Sequence, residues 1–183
     1  MSEKDRNRRK RQATVLRRFR KIHRYSGIAL FVFFFIIGIT SVLLGWKKHS
    51  GDVLMPETRK GTPATLSEWL PMDSLQNIAF EALADSAYTL DRIDVRPGKG
   101  VAKFRFDQEN MEVQVDGGTG EVLNKGPRRA DLIESIHDGS YVDDLLGTGG
   151  VIKVFYSTLT GLSLTMFVIS GFWLWYGPKR MRR

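Results

Sequence analysis

Two long stretches without a charged residue constrain this chain more than any other feature. Tyr25 to Trp46 runs 22 residues and Val154 to Pro178 runs 25 residues without Asp, Glu, Lys or Arg. A helix needs roughly 20 mostly apolar residues to cross the ~30 Å hydrocarbon core of a bilayer. Both runs reach that length, so both read as transmembrane helices. Tyr25 and Trp46 fall at the two interface depths of the first run. Phe155 and Tyr156 stand at one end of the second, and Trp173, Trp175 and Tyr176 at the other. Such aromatic belts are characteristic of span ends.

Charge then sets the orientation. Residues 1–24 hold eleven Lys/Arg against two acids, and residues 179–183 hold four Lys/Arg, so the two ends carry +13 together. Residues 47–153 hold thirteen Lys/Arg against eighteen acids, a net of −5, within a total of +8. Basic segments beside a span stay on the cytoplasmic side. Both tails are therefore expected inside and the acidic middle outside, with the basic arms drawn to anionic lipid headgroups. This distribution, basic at the ends and acidic in the middle, argues against a nucleic-acid partner. The basic region before the first span is long, and Gly45-Trp46-Lys47-Lys48 offers no small-x-small cleavage pattern. The first span reads as an uncleaved anchor rather than a signal peptide.

The chain has no cysteine, which excludes disulfides, thiolate metal centres, c-type haem attachment and a cysteine nucleophile. An outer domain of this kind must be held by its core alone.

The pattern between the spans is α+β. Residues 1–17 read as a basic, disordered or lipid-associated arm, and 18–48 as the first helix with its interfacial extension. Residues 49–70, with Gly51, Pro56, Gly61 and Pro63, read as a linker. Asp73 with Gln76 has capping-box spacing, and Leu75, Ile78, Ala79, Ala82 and Leu83 follow on one helical face. Three alternating runs come next: Ile93 and Val95; Ala102, Phe104 and Phe106; Met111, Val113 and Val115. Their intervening polar residues, Lys103 and Glu112 among them, predict one buried and one wet face. Turns are expected at 107–110 and 117–120, with a short strand at 121–123. Residues 71–127 thus form a small antiparallel sheet with a helix on it. Residues 128–150 read as an interfacial helix at 131–137 and a glycine loop, 151–178 as the second span, and 179–183 as a basic tail.

Three separated stretches carry a family resemblance. VDGGTGEVL at 115–123 resembles the end of a PepSY domain. IHRYSGIALFVFFFIIGITSVLLGW at 22–46, and SIHDGSYVDDLLG followed by LSLTMFVISGFWLWYG, resemble PepSY-associated transmembrane proteins. The resemblance covers about residues 18–178. It implies a membrane α-helical hairpin with a small extracytoplasmic PepSY-like domain, in the bacterial inner membrane. Larger members have four spans and resemble haem-containing reductases of ferric siderophores, with histidines at helix ends as ligands. Soluble PepSY domains occur as pro-segments and regulators of peptidases. Two functions follow from the resemblance. One is an accessory or adaptor protein whose outer domain binds an envelope partner. The other is a haem b redox module in iron reduction, as a homodimer or a subunit of a larger membrane complex.

The candidate cofactor-binding residues are the only three histidines, His23, His137 and His49. His23 and His49 are 26 residues apart, about 39 Å on one helix, so one chain cannot place both on one iron. Each histidine also has an ordinary reading. His23 beside Arg24 meets headgroups, His49 beside Lys47 and Lys48 is a wet juxtamembrane residue, and His137 caps a helix C-terminus. Asp138, Asp143 and Asp144 form an acidic cluster that reads as a solvated turn rather than a cation loop. Gly27, Gly38, Gly45, Gly161 and Gly171 permit close helix approach, within the chain or between chains.

Overall fold

The computed structural model describes residues 3–83 and 87–182, so the first two residues of the basic arm and the last of the tail lie outside the described residues. The chain divides into two units, one of residues up to Ile39 together with those from His137, the other Thr40–Ile136. Each is described by itself.

The first unit is helical. Helix α1, Glu3–Trp46, and helix α5, Val151–Arg182, are long and apolar enough to cross a membrane. Only 6% of the apolar window of each is buried, where the core helix of a soluble protein would be mostly enclosed. The arm, read as disordered or lipid-associated, is helical from Glu3, in line with the good helix propensity of its Arg and Lys residues. Helix α5 continues past Pro178, which lies four residues from its end. Between the sheet and α5 the sequence reading gave one helix and a loop. The structure has two helices, α3 (Arg129–Asp138) and α4 (Ser140–Leu146), separated by Gly139 at φ 83°.

The second unit is a four-stranded antiparallel sheet in the order β1-β2-β3-β4, with β1 Leu90–Arg96, β2 Val101–Phe106, β3 Met111–Asp116 and β4 Val122–Pro127. Each connection is tight, so sequence neighbours pair. Phe104 lies opposite Ile93 on one side and Val113 on the other, and Ala102 opposite Val115. Helix α2, Met72–Leu83, lays Leu75 and Ala79 on this face, where Trp69 joins Ala102, Phe104, Phe106, Val113 and Val115 in one core. Burying a side chain of this size contributes about 1.5–3 kcal/mol. The inferred apolar face is the observed one except at Val95, which is exposed near the end of β1.

Three expectations for this unit are corrected. The capping box lies at Thr65–Glu68, upstream of α2, where Glu68 accepts from the Thr65 N–H at 2.9 Å. The fourth strand is longer than the three residues expected. The third correction is larger: the polar face of the sheet is not wet. Every residue of β2 is buried, including Lys103 at 1% exposure, and Glu112 and Gln114 are fully enclosed.

The covering layer is the segment read as a linker. Its backbone docks through the polar side chains of β3. The Arg59 N–H donates to Gln114 Oε1 at 3.0 Å, and Gln114 Nε2 donates to the Glu57 carbonyl at 2.9 Å. The Thr62 N–H and hydroxyl donate to Asp116 Oδ2 at 2.7 and 3.0 Å. The Gly61 N–H donates to the Lys99 carbonyl at 2.9 Å. A side chain at Gly61 would collide with the Gly100 carbonyl, so glycine is what lets the two backbones meet. The unit has three layers: α2 with Trp69, the sheet, and residues 52–62 with the start of α3.

Candidate functional site

His23 sits on α1 facing α5. Its Nδ1 is 2.8 Å from Ser170 Oγ, and its ring lies 4.5 Å from the Phe167 ring. The Ser170 hydroxyl also donates to the Phe167 carbonyl at 3.2 Å. The tautomer in which Nδ1–H donates to Ser170 Oγ would leave the Nε2 lone pair available as a metal ligand. Beside the ring runs an open groove of about 450 Å³ lined by His23, Arg24, Gly27, Ile28, Phe31 and Phe167.

The small residues show why the ring fits there. A Cβ at Gly27 would lie 3.2 Å from Phe167 Cζ, and one at Gly171 would meet His23 Cε1 at 3.8 Å. Gly27 and Gly171 thus serve packing between α1 and α5 within the chain. Gly38, Gly45 and Gly161 face open space. Gly177, which the sequence reading passed over, receives Leu16. Phe34 meets Phe167 edge-on at 5.4 Å, and the Phe33 ring lies 6.2 Å from that of Tyr156.

His49 ends the short 3-10 turn Lys47–His49 and is exposed. It belongs to the sheet unit, whereas His23 and His137 belong to the helical one. His137 is half-buried in the last turn of α3.

The acidic cluster is occupied by capping. The Asp143 carboxylate accepts the Thr148 hydroxyl at 2.6 Å and the N–H groups of Gly150 at 2.5 Å and Ile152 at 2.9 Å. These include donors that the first turn of α5 leaves without an intrahelical partner. The Thr148 hydroxyl foremost, and then these N–H groups, hold the Asp143 carboxyl below the usual carboxylate range. Asp138 pairs with Lys153 at 2.6 Å and accepts from Ser140. Burial pushes its pKa up, but those partners outweigh it and the net shift is downward. Among the described residues, no group of three or more His, Asp or Glu is placed to hold a metal ion.

The feature that sequence reasoning missed is a buried charged network on the covered face of the sheet. Glu112 accepts Lys103 Nζ at 2.9 Å, Gln114 Nε2 at 2.8 Å and Arg128 at 2.5 Å. Arg128 forks onto Asp131 at 2.8 and 3.0 Å, and Arg105 reaches the same carboxylate at 2.8 Å. The one available signal was register. Strands β2 and β3 set Lys103 opposite Gln114 and Arg105 opposite Glu112, so that cations of one strand face acceptors of the next.

The model of the PepSY-associated TM region family matches residues 8–183. The chain belongs to that family. It is a PepSY-associated membrane protein, and the match takes in both apolar helices and the sheet between them. No curated protein and no solved structure matches it. Within this PepSY-associated chain, the three stretches that carried the resemblance map to α1, to the turn from β3 into β4, and to α3 through α5.

Proposed function

We propose that this chain is a two-pass protein of the bacterial inner membrane, with both termini cytoplasmic and the sheet unit, a PepSY-like domain, in the periplasm. It acts as an accessory or adaptor protein: α1 and α5 anchor it in the bilayer, and the outer domain engages an envelope partner. One observation carries this reading. The apolar stretches of the two helices are almost entirely unburied, and the excess of basic residues lies beyond those stretches, towards the chain ends. Exposed apolar surface on this scale requires lipid or protein around it. Lys179 over the Trp175 ring, at 3.7 Å, fits an interfacial anchor at the end of α5. Alkaline phosphatase fused after residue 110 is then active in a bacterial host, and fused at the C-terminus it is inactive. The opposite pattern overturns the orientation.

A second reading has its own observation. His23, held by Ser170 beside an apolar groove, would be the residue to hold a b-type haem, with Arg24 in the same lining as a counter-charge. Bound there, haem would supply one-electron transfer. Two helices do not enclose a macrocycle, so the opposing ligand would come from a second copy or another subunit. Purified protein from haem-replete cells then shows a dithionite-sensitive Soret band that His23→Ala removes and His49→Ala retains. A colourless preparation leaves the adaptor role standing alone.

A further inference from the structure

The sheet unit carries an excess of acid, yet one cleft in it is basic. It encloses about 460 Å³, within the usual range for small-ligand sites. Six cations line it, Lys47, Lys48, Arg96, Lys99, Lys103 and Arg128, against two carboxylates, Glu57 and Asp94. The cations divide by what holds them. Lys103 and Arg128 lie at its base, tied to the buried Glu112, and Lys47 reaches Glu134 at 3.1 Å. Among the described residues, no carboxylate lies within 4.0 Å of Lys48, Arg96 or Lys99, so these three are uncompensated.

Short, fixed pieces of backbone hold them in place. Arg96 closes β1 opposite Val101, and Lys99 lies in the 3-10 turn Pro97–Lys99, whose carbonyl accepts the Gly61 N–H at 2.9 Å. Lys48 follows the last residue of α1 by two positions. Cations crowded into a concave site repel one another unless an anion joins them. Burial foremost presses the Lys103 pKa downward against the pull of Glu112, with Arg96 and Arg128 adding smaller pushes in the same direction.

We propose that this cleft binds a phosphate group, presented either by an anionic phospholipid headgroup or by a soluble phosphate compound. Lysine ammoniums and an arginine fork are the donors that recognise phosphate, and three free positive charges suit an oxyanion better than a neutral ligand. Lys47 and Lys48 directly follow the apolar part of α1, which puts the headgroup source within reach of the same residues. The assignment rests on the geometry of the sheet unit and does not depend on which side of the membrane it faces.

The test uses the full chain in nanodiscs, read by hydrogen exchange at residues 55–58 and 94–99. In one arm, inorganic phosphate is titrated against chloride at equal ionic strength in pure phosphatidylcholine. In the other, equimolar phosphatidylcholine and phosphatidylglycerol replace pure phosphatidylcholine. Protection by phosphate but not chloride identifies a soluble source, and protection by phosphatidylglycerol identifies a headgroup. The triple variant Lys48→Gln, Arg96→Gln, Lys99→Gln, with all three positions exposed, weakens binding about a hundredfold, from roughly a fivefold loss per removed charge. Lys60→Gln with Arg92→Gln, exposed cations outside the cleft, leaves it unchanged. No protection in either arm, equal protection by chloride, or equal weakening by the control pair overturns the proposal.

Discussion

Replacing Lys103 tests the two-faced burial of the sheet most sharply. Simple alternation puts Lys103 in water, where Lys103→Asp is nearly silent. The structure encloses it, with 2% of the side chain exposed and its ammonium on Glu112 at 2.9 Å. An aspartate there removes the cation and faces a second carboxylate in the same enclosed space. Breaking one partner from a buried pair costs about 3–5 kcal/mol. A domain of this size has about 5–15 kcal/mol in total, so much of its stability goes. Glu112→Gln belongs in the same range, because it strips Lys103 of its counter-charge and Arg128 of one of two. Lys103→Met is milder, about 1.5–3 kcal/mol, since Glu112 keeps Arg128 and Gln114 and only one charge-assisted bond is lost. The assay is hydrogen exchange of the β2 and β3 amides in the full chain in detergent, which reports opening free energy strand by strand. The pH dependence adds a sign. Burial lowers the folded-state pKa of Lys103 below the ordinary 10.5, with Glu112 opposing. Between the two values the unfolded chain holds a proton that the folded chain lacks, so stability rises with pH in that window. Lys103→Met abolishes the rise. If Lys103→Asp exchanges as slowly as the parent, the covered face is wrong.

Two further outcomes follow from neighbouring contacts. Gly117→Ala drives a methyl group into the Trp69 ring and lowers stability by about 1–3 kcal/mol, whereas Gly118→Ala makes only ordinary contacts and is near neutral; thermal melting of the pair compares them. Asp116 is buried, which raises its pKa, but the N–H groups of Thr119, Thr62 and Gly118 outweigh this and hold it below 3.8. Its contribution is present above the unfolded value near 3.8 and is lost as pH falls through the lower folded value. Asp116→Asn therefore weakens the domain at neutral pH and flattens its acid unfolding below about pH 4 in a pH melt.

Much of the architecture was legible in the sequence because it follows from periodicity. The two uncharged runs gave α1 and α5, and Ala102, Phe104, Val113 and Val115 gave the core face of the sheet. The other face was not legible, because alternation reports polarity and polarity is not exposure. Lys103, Glu112 and Gln114 are polar and enclosed, since each finds a partner in the covering segment, on a neighbouring strand or on Arg128. Residues 52–62 look like a linker, for they hold Pro56 and Gly61 and no periodic apolar pattern. They pack through backbone hydrogen bonds, which leave no trace in residue type. Of the candidate site, the three histidines were visible by identity. The partnership of His23 with Ser170, 147 positions away, depends on the pairing of two helices that no local pattern specifies.

The central claim is that the sheet unit and the chain's basic N-terminal arm lie on opposite sides of one membrane. Because the chain has no cysteine, single substitutions label without background. Lys4→Cys and Lys60→Cys both fall at exposed positions, one in the arm and one in the covering segment of the sheet unit. Intact spheroplasts treated with a membrane-impermeant maleimide should label Lys60→Cys at once, and Lys4→Cys only after detergent is added. Labelling of Lys4→Cys alone in intact spheroplasts, or of both equally, would contradict the account.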